Sequence, residues 1–253
     1  MQILISCAKT MTAKSSINVP ESDLPKFNNE ANRLALQLMQ YSIPELEKAL
    51  RINTKIATEN KLRYQQFHGD MTPSLPALLA YTGIVFKRID PKTFSQEDFL
   101  YSQKYLSITS FLYGLVRPLD RIKNYRLEGD VVLPDNQGLD MFDYWKPRLT
   151  QLLIKQVKAD DGILVNLASD EMKGLFDWKE VEKELRIITP EFKVWKGEQL
   201  KTIVIYTKMC RGEMTRFLLK NRITQPDELK AFEWEGFKLD TEHSTDANPL
   251  FTL

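Results

Sequence analysis

Residues 162–171 read GILVNLASDE, a short, nearly continuous run of apolar and β-branched residues that ends in small and polar ones. Such a run predicts a strand buried on both faces, with a polar loop at its carboxyl end. Residues 3–6 (ILIS) and 201–207 (KTIVIYT) carry the same signature. In residues 232–239, FEWEGFKL, apolar and polar residues alternate around Glu235 and Gly236, which predicts a hairpin at a sheet edge. Helical patterns fill residues 29–39, 44–66 with a break, 74–81, 96–113, 141–157, 177–185 and 209–221. Strands this far apart with helices between them predict a mixed α/β (α+β) chain whose central mixed sheet is surrounded by helices. No repeat or low-complexity linker divides the sequence, so residues 1–253 are expected to form a single compact domain.

Composition narrows the function classes. At 43% hydrophobic and 27% charged residues the chain is an ordinary globular one, which excludes disorder and collagen-like repeats. No run approaches the roughly 18 apolar residues that span a bilayer. The start, MQILISCAKT, lacks the basic and long apolar regions of a secretory leader, so no membrane partner is expected. Two cysteines, Cys7 and Cys210, are too few for a disulfide framework or a thiolate zinc site and point to a reducing cytoplasm. His68 and His243 stand far apart without neighbouring ligand spacing, so neither a metal nor a cofactor is expected. The net charge is only +1, but it is unevenly spread. Residues 201–222 hold Lys201, Lys208, Arg211, Arg216, Lys220 and Arg222 against Glu213 alone, whereas residues 226–253 hold seven acids against Lys230 and Lys238. A basic segment beside an acidic one suits either an anion site with an electrostatic guard or two solvated faces that pair with each other.

The strongest local signal for chemistry is FLYGLVRPLDRIKNYRLE, residues 111–128. Ser95 is placed to cap a helix with Glu97 and Asp98 in its first turn, and Gly114 suits the left-handed conformation that ends one. Pro118 suits a first helical position, so two helices are expected to meet across a tight hairpin that offers backbone N–H groups, with Arg117 and Arg121, to a phosphate. Val116 stands where such a hairpin usually has a second glycine. From Met209, Cys210, Met214, Phe217 and Leu218 form an apolar helical stripe, with Lys208, Arg211 and Arg222 on its basic flank. Gly212 beside that flank permits close approach of a backbone or ligand. At the expected strand ends Lys9 can meet a phosphate, while Asn166, Ser169 and Asp170 offer hydrogen bonds. No phosphate-binding glycine loop, dinucleotide fingerprint or nucleophile elbow is present, so no known catalytic motif supports an enzyme and Ser169 reads as a helix cap.

Five segments in order, ILISCAKTM, RINTKIATEN, FLYGLVRPLDRIKNYRLE, VNLASDE and KMCRGEMTRFLLKNRI, together resemble the YaaA family of bacterial peroxide-stress proteins over nearly the whole chain. The resemblance implies a cytoplasmic bacterial protein with a positively charged cleft and a helix-hairpin-helix-like element that binds double-stranded DNA. It implies protection of DNA from hydrogen peroxide, linked to lower free intracellular iron. Lys9 matches the lysine of the family's first motif, and Arg51 with Lys55 its R-I-x-x-K motif. Arg117, Tyr125, Arg126 and Glu128 fall in the L-R-P-L-D and Y-R-L-E pattern, and Lys208, Arg211 and Arg216 in K-x-x-R-G-x-x-x-R. Cys7 replaces a proline, Ile84 an acid and Met172 an aromatic residue of the family pattern. These cations are expected to converge on one cleft and to grip duplex DNA independently of sequence. The alternative is an enzyme acting in that cleft on a nucleic-acid base or a small phosphorylated molecule, with Glu128 or Asp170 moving protons.

Overall fold

The computed structural model describes residues 1–253. In chain order the elements are β1 (Gln2–Ile5), α1 (Asn28–Gln40), α2 (Ile43–Leu50), α3 (Thr54–Gln66), β2 (Ser74–Pro76), α4 (Ala77–Ala80), α5 (Ile84–Ile89), α6 (Gln96–Tyr105), β3 (Leu106–Ser110), β4 (Gly114–Val116) and β5 (Arg121–Lys123). They continue with α7 (Met141–Lys158), β6 (Ile163–Leu167), α8 (Asp170–Lys173), α9 (Trp178–Glu184), β7 (Arg186–Ile188), β8 (Glu191–Lys196), β9 (Gln199–Lys201), α10 (Val204–Lys220), β10 (Lys238–Leu239) and β11 (Leu250–Thr252). The expected α/β class is correct.

The main sheet runs β4-β3-β1-β6-β7. β1 pairs in parallel with β3 on one side and β6 on the other, β7 continues parallel to β6, and only the edge strand β4 is antiparallel. Every residue of β1 is buried, as its apolar sequence requires. In a second sheet, β10-β11-β8-β9, the hairpin expected over 232–239 is only partly formed: β10 lies at the sheet edge, while Trp234 and Phe237 make an isolated bridge across Glu235 and Gly236, both at positive φ, and residues 232–233 form no strand. One apolar cluster joins the two sheets and the helices, from Ile3 and Leu4 in β1 to Phe192 and Phe251 in the second sheet.

Four expectations fail locally. Residues 201–207 are not a buried strand: Lys201 ends β9, and Val204, Ile205 and Tyr206 form the exposed first turn of α10. The 3.6-residue period that buries Cys210, Met214 and Leu218 extends backwards and overrides the local β-propensity. The helix expected over 96–113 stops at Tyr105, and residues 106–110 become β3, buried throughout. Its polar residues have partners there: Ser107 Oγ accepts from Gln156 Nε2 at 2.9 Å, and Thr109 Oγ1 accepts from the Cys7 N–H at 3.4 Å. Similarly, residues 74–76 of the helix expected over 74–81 form β2.

The fourth failure removes the helix-hairpin-helix. Gly114 does have positive φ, +70°, but it opens β4 of a β3–β4 hairpin instead of closing a helix. Pro118 lies in a turn closed by the Asp120 N–H on the Arg117 carbonyl, and the chain then enters β5, which pairs with β2. A β-carbon on Gly114 would also sit 2.8 Å from the Trp145 ring. Trp145 is fully buried and donates its indole N–H to the Phe111 carbonyl at 2.7 Å, so the ring has no room to retreat.

α10 is fastened at its middle and at its carboxyl end. A β-carbon on Gly212 would lie 2.4 Å from the Val85 carbonyl oxygen, so the close approach permitted there is taken by α5 and not by a ligand. Ser95 caps α6 as expected, and buried Asp98 turns this cap into a capping box and pairs with Lys220 at 2.6 Å and Arg222 at 2.8 Å, tying α6 to the end of α10. Burial opposes ionisation of Asp98, but the Lys220 ammonium, the Ser95 N–H and Arg222 outweigh it and hold the carboxyl below its ordinary value.

Two stability predictions follow from these contacts. Gly114→Ala should cost about 2–4 kcal/mol, from the left-handed φ and the displaced Trp145 ring, in urea unfolding; a loss below about 0.5 kcal/mol would remove the assigned geometry. Asp98→Asn should cost about 2 kcal/mol at neutral pH, moderated because Lys220 and Arg222 are each about one-third exposed. The folded pKa is depressed, so this contribution is present above the unfolded value of 3.8 and is lost as pH falls through the lower folded value. Wild type and Asp98→Asn should therefore converge in stability under acid, and a gap independent of pH would show that the carboxylate charge is irrelevant.

Candidate functional site

Three parallel strands deliver their carboxyl ends to one place. β1 releases residues 6–10, β3 ends beside Phe111, and β6 releases Ala168 and Ser169 into α8. Ser6 joins two of these ends: its Oγ accepts the Ser169 N–H at 2.9 Å and donates to Ser169 Oγ at 3.3 Å. Crevices at the carboxyl ends of a sheet whose chain departs to either side of a central strand are the usual ligand sites of open α/β folds. Here the crevice is a cavity of about 360 Å³, closed by residues 83–86, residues 125–128 and one face of α10.

Its floor is apolar, formed by Phe111, Leu167, Met172 and Phe86, while charge comes in from the walls. Buried Glu128 accepts from Lys9 Nζ at 2.7 Å and from Arg126 Nε at 2.7 Å. Residues 125–128 are themselves held from below. The Tyr64 hydroxyl bonds both the carbonyl and the N–H of Arg126, and the buried Tyr125 hydroxyl meets Ser110 Oγ at 2.7 Å and the Tyr81 hydroxyl at 2.8 Å. Burial and the adjacent Tyr81 push the Tyr125 hydroxyl well above its ordinary value, so it is a neutral brace.

Lys208 and Arg211, one turn apart on α10, also line this cavity, and neither makes a side-chain hydrogen bond or ion pair. Arg211 is half-buried; burial pulls its guanidinium below its ordinary value, and Asp170 only partly offsets this. A half-buried cation without a partner is an electrostatic cost that a bound anion relieves.

The predicted residues therefore separate into groups. Lys9, Tyr125, Arg126, Glu128, Ser169, Lys208 and Arg211 converge on the cavity. Asp170 pairs with Lys173 at 2.8 Å and lines a second, larger cavity of about 530 Å³ between the two sheets, which shares Arg211 with the first. Asn166 is buried in β6, where its Oδ1 accepts the Ala168 N–H at 3.2 Å and its amide donates to Thr189 Oγ1 at 3.4 Å, so it braces the strand end. The remaining cations lie outside the cavity lining. Arg51 pairs with Asp130, and Lys55 is exposed in the first turn of α3. Arg117 is engaged by Asp120 at 2.9 Å and Asp23 at 3.1 Å, and Arg121 by the hydroxyl and carbonyl of Ser74. Arg216 donates to the Ile89 carbonyl at 3.0 Å and the Asp90 carbonyl at 3.3 Å, closing the end of α5. Gly114 shapes the β3–β4 hairpin away from this lining.

Sequence reasoning missed Glu171, which lines the cavity while the chosen Asp170 does not. Adjacent helical residues point about 100° apart, so the motif NLASDE alone left the two acids equivalent. It also missed the floor, because Phe111 and Met172 look like any core residues until the strand ends place them.

Cys7 lies in this cavity, half-buried, and its thiol is pushed up to about 12 by burial, with Glu171 and Glu128 adding to the effect. Cys210 is pushed up to about 12 by burial and Glu213. A protonated thiol is a poor nucleophile. At pH 8 iodoacetamide should thus alkylate the native chain at least about tenfold more slowly than the urea-unfolded chain. Equal rates would show that one of these thiols is activated.

Comparison with known sequences gives a consistent placement. A family described as peroxide stress protein YaaA matches residues 1–243. A UPF0246 protein of Phocaeicola vulgatus is 59% identical over 253 residues, covering 100% of this chain and 99% of its own. A UPF0246 protein of Porphyromonas gingivalis is 45% identical over 261 residues and covers 100% of both chains. No helix is long and apolar enough to cross a membrane.

Proposed function

We propose that this chain, which belongs to the peroxide stress protein YaaA family, acts in peroxide stress by binding double-stranded DNA at the cavity's cationic rim. The observation that carries the proposal is the pair Lys208 and Arg211. They face a cavity at the strand ends, form no ion pair with an acid, and stand on a helix fastened at its middle and its carboxyl end. Lys9, 61% exposed beside Glu128, adds a third cation at the same rim.

The contacts are to phosphate, so binding is independent of base sequence and the bound complex shields the DNA it covers. The lowering of free intracellular iron that family membership suggests has no residue set assigned to it in this proposal. An enzymatic reading keeps one observation in its favour: Glu128 is a buried carboxylate in the cavity wall beside Lys9. Such a group is suited to proton transfer if a substrate reaches it.

Binding to short duplexes of unrelated sequence, measured across a salt series, tests the proposal. With three phosphate contacts, a fourfold rise in salt should weaken binding about 40-fold. Lys208→Ala and Arg211→Ala should each weaken binding at low salt and reduce the salt slope by about one. Arg117→Ala and Arg121→Ala should leave affinity within about twofold, because their guanidinium groups are already occupied. Binding lost with Arg117 and retained without Lys208 and Arg211 would move the interface away from the cavity.

A further inference from the structure

Phosphate explains the unpaired cations but not the rest of the cavity. An apolar floor of Phe111, Leu167, Met172 and Phe86 gives a phosphate no hydrogen bond, and the buried Glu128 carboxylate on the 125–128 wall repels it. A single ligand that satisfies all three surfaces is anionic at one end, flat and apolar in its body, and able to donate N–H groups at an edge. The volume of about 360 Å³ is in the range of small-molecule sites, roughly 300–1,000 Å³.

We infer that the cavity takes one unstacked nucleotide, its phosphate on Lys208 and Arg211, its base over the apolar floor, and an N–H edge of the base donating to Glu128. The inference rests on the nucleic-acid reading of the same site and names what occupies it. Lys9 and Arg126 each hold one oxygen of Glu128, which leaves further lone pairs on both oxygens to accept from the base. Bases are read at their hydrogen-bonding edge once they leave the stack, and aromatic side chains supply stacking surface for any of them.

The second cavity extends the path. Arg211 lines both cavities, and beyond it stands Trp178, with the ammonium of Lys173, itself paired with Asp170, 5.5 Å from the centre of the ring. A strand with one nucleotide in the first cavity can thus pass its next phosphate over Arg211 towards a further stacking surface. Duplex DNA held only at the rim would use neither the floor nor Trp178.

The experiment compares deoxyguanosine 5′-monophosphate with inorganic phosphate by calorimetry, on the wild-type protein and on Thr10→Trp. Thr10 is exposed at the mouth of the cavity, so the indole fills the mouth without altering charge or core packing. The nucleotide should bind at least about tenfold more tightly than phosphate, Glu128→Gln should reduce that preference, and Thr10→Trp should abolish it while unfolding at the wild-type temperature. In parallel, a duplex carrying a one-nucleotide bulge should bind more tightly than the perfect duplex. Equal binding of nucleotide and phosphate, or nucleotide binding that survives Thr10→Trp, overturns the nucleotide pocket even if duplex binding is sound. Nucleotide binding without any duplex binding upholds the pocket and removes the duplex proposal instead.

Discussion

The parallel pairing of β1 with both β3 and β6 is the constraint on which the rest of the structure depends. Ile3 lies opposite Leu106 on one side and Val165 on the other, so residues more than a hundred positions apart must be aligned before the sheet exists. Both faces of β1 are buried, and a one-residue slip would misplace every side chain in it. Parallel pairing also sends the chain out of β1, β3 and β6 at the same end. The cavity is therefore a consequence of strand direction, and the polar residues after Ile5 and Leu167 line it because they are the first ones past the buried strands.

Charge at this end is sorted by partnership. Arg117, Arg121, Arg216, Lys220 and Arg222 are basic in the sequence, yet each spends its charge or its donors on the protein itself. These contacts fix the turn after β4, the end of α5 and the end of α10. Lys208 and Arg211 differ because no acid forms an ion pair with them, Asp170 acting on Arg211 only at longer range, and the tight α5–α10 contact at Gly212 keeps the helix from rotating them away from the cavity. The acidic stretch that follows residue 222 in the sequence does not neutralise them; among its residues, Asp227 pairs with Lys230 and Asp240 with His243.

The sequence by itself determined the α/β class, the buried strands β1 and β6, the helices from α1 to α3 with their break, the Ser95 cap and the positive φ of Gly114, because each is a local preference or a short-range period. It also identified the segments whose residues meet in the cavity, including Lys9, Glu128, Lys208 and Arg211. Tertiary structure alone decided that residues 106–110 are a strand, since an L-S-I-T-S run is stable there only with Gln156 and Cys7 bonding its polar side chains. It likewise turned residues 204–206 into a helical turn and made the 111–128 segment a series of short strands, so the helical hairpin expected there does not form. Which arginines remain free could not be read from order along the chain. Asp23 reaches Arg117 across 94 residues and Asp98 reaches Arg222 across 124, and charge pairing depends on distance in space.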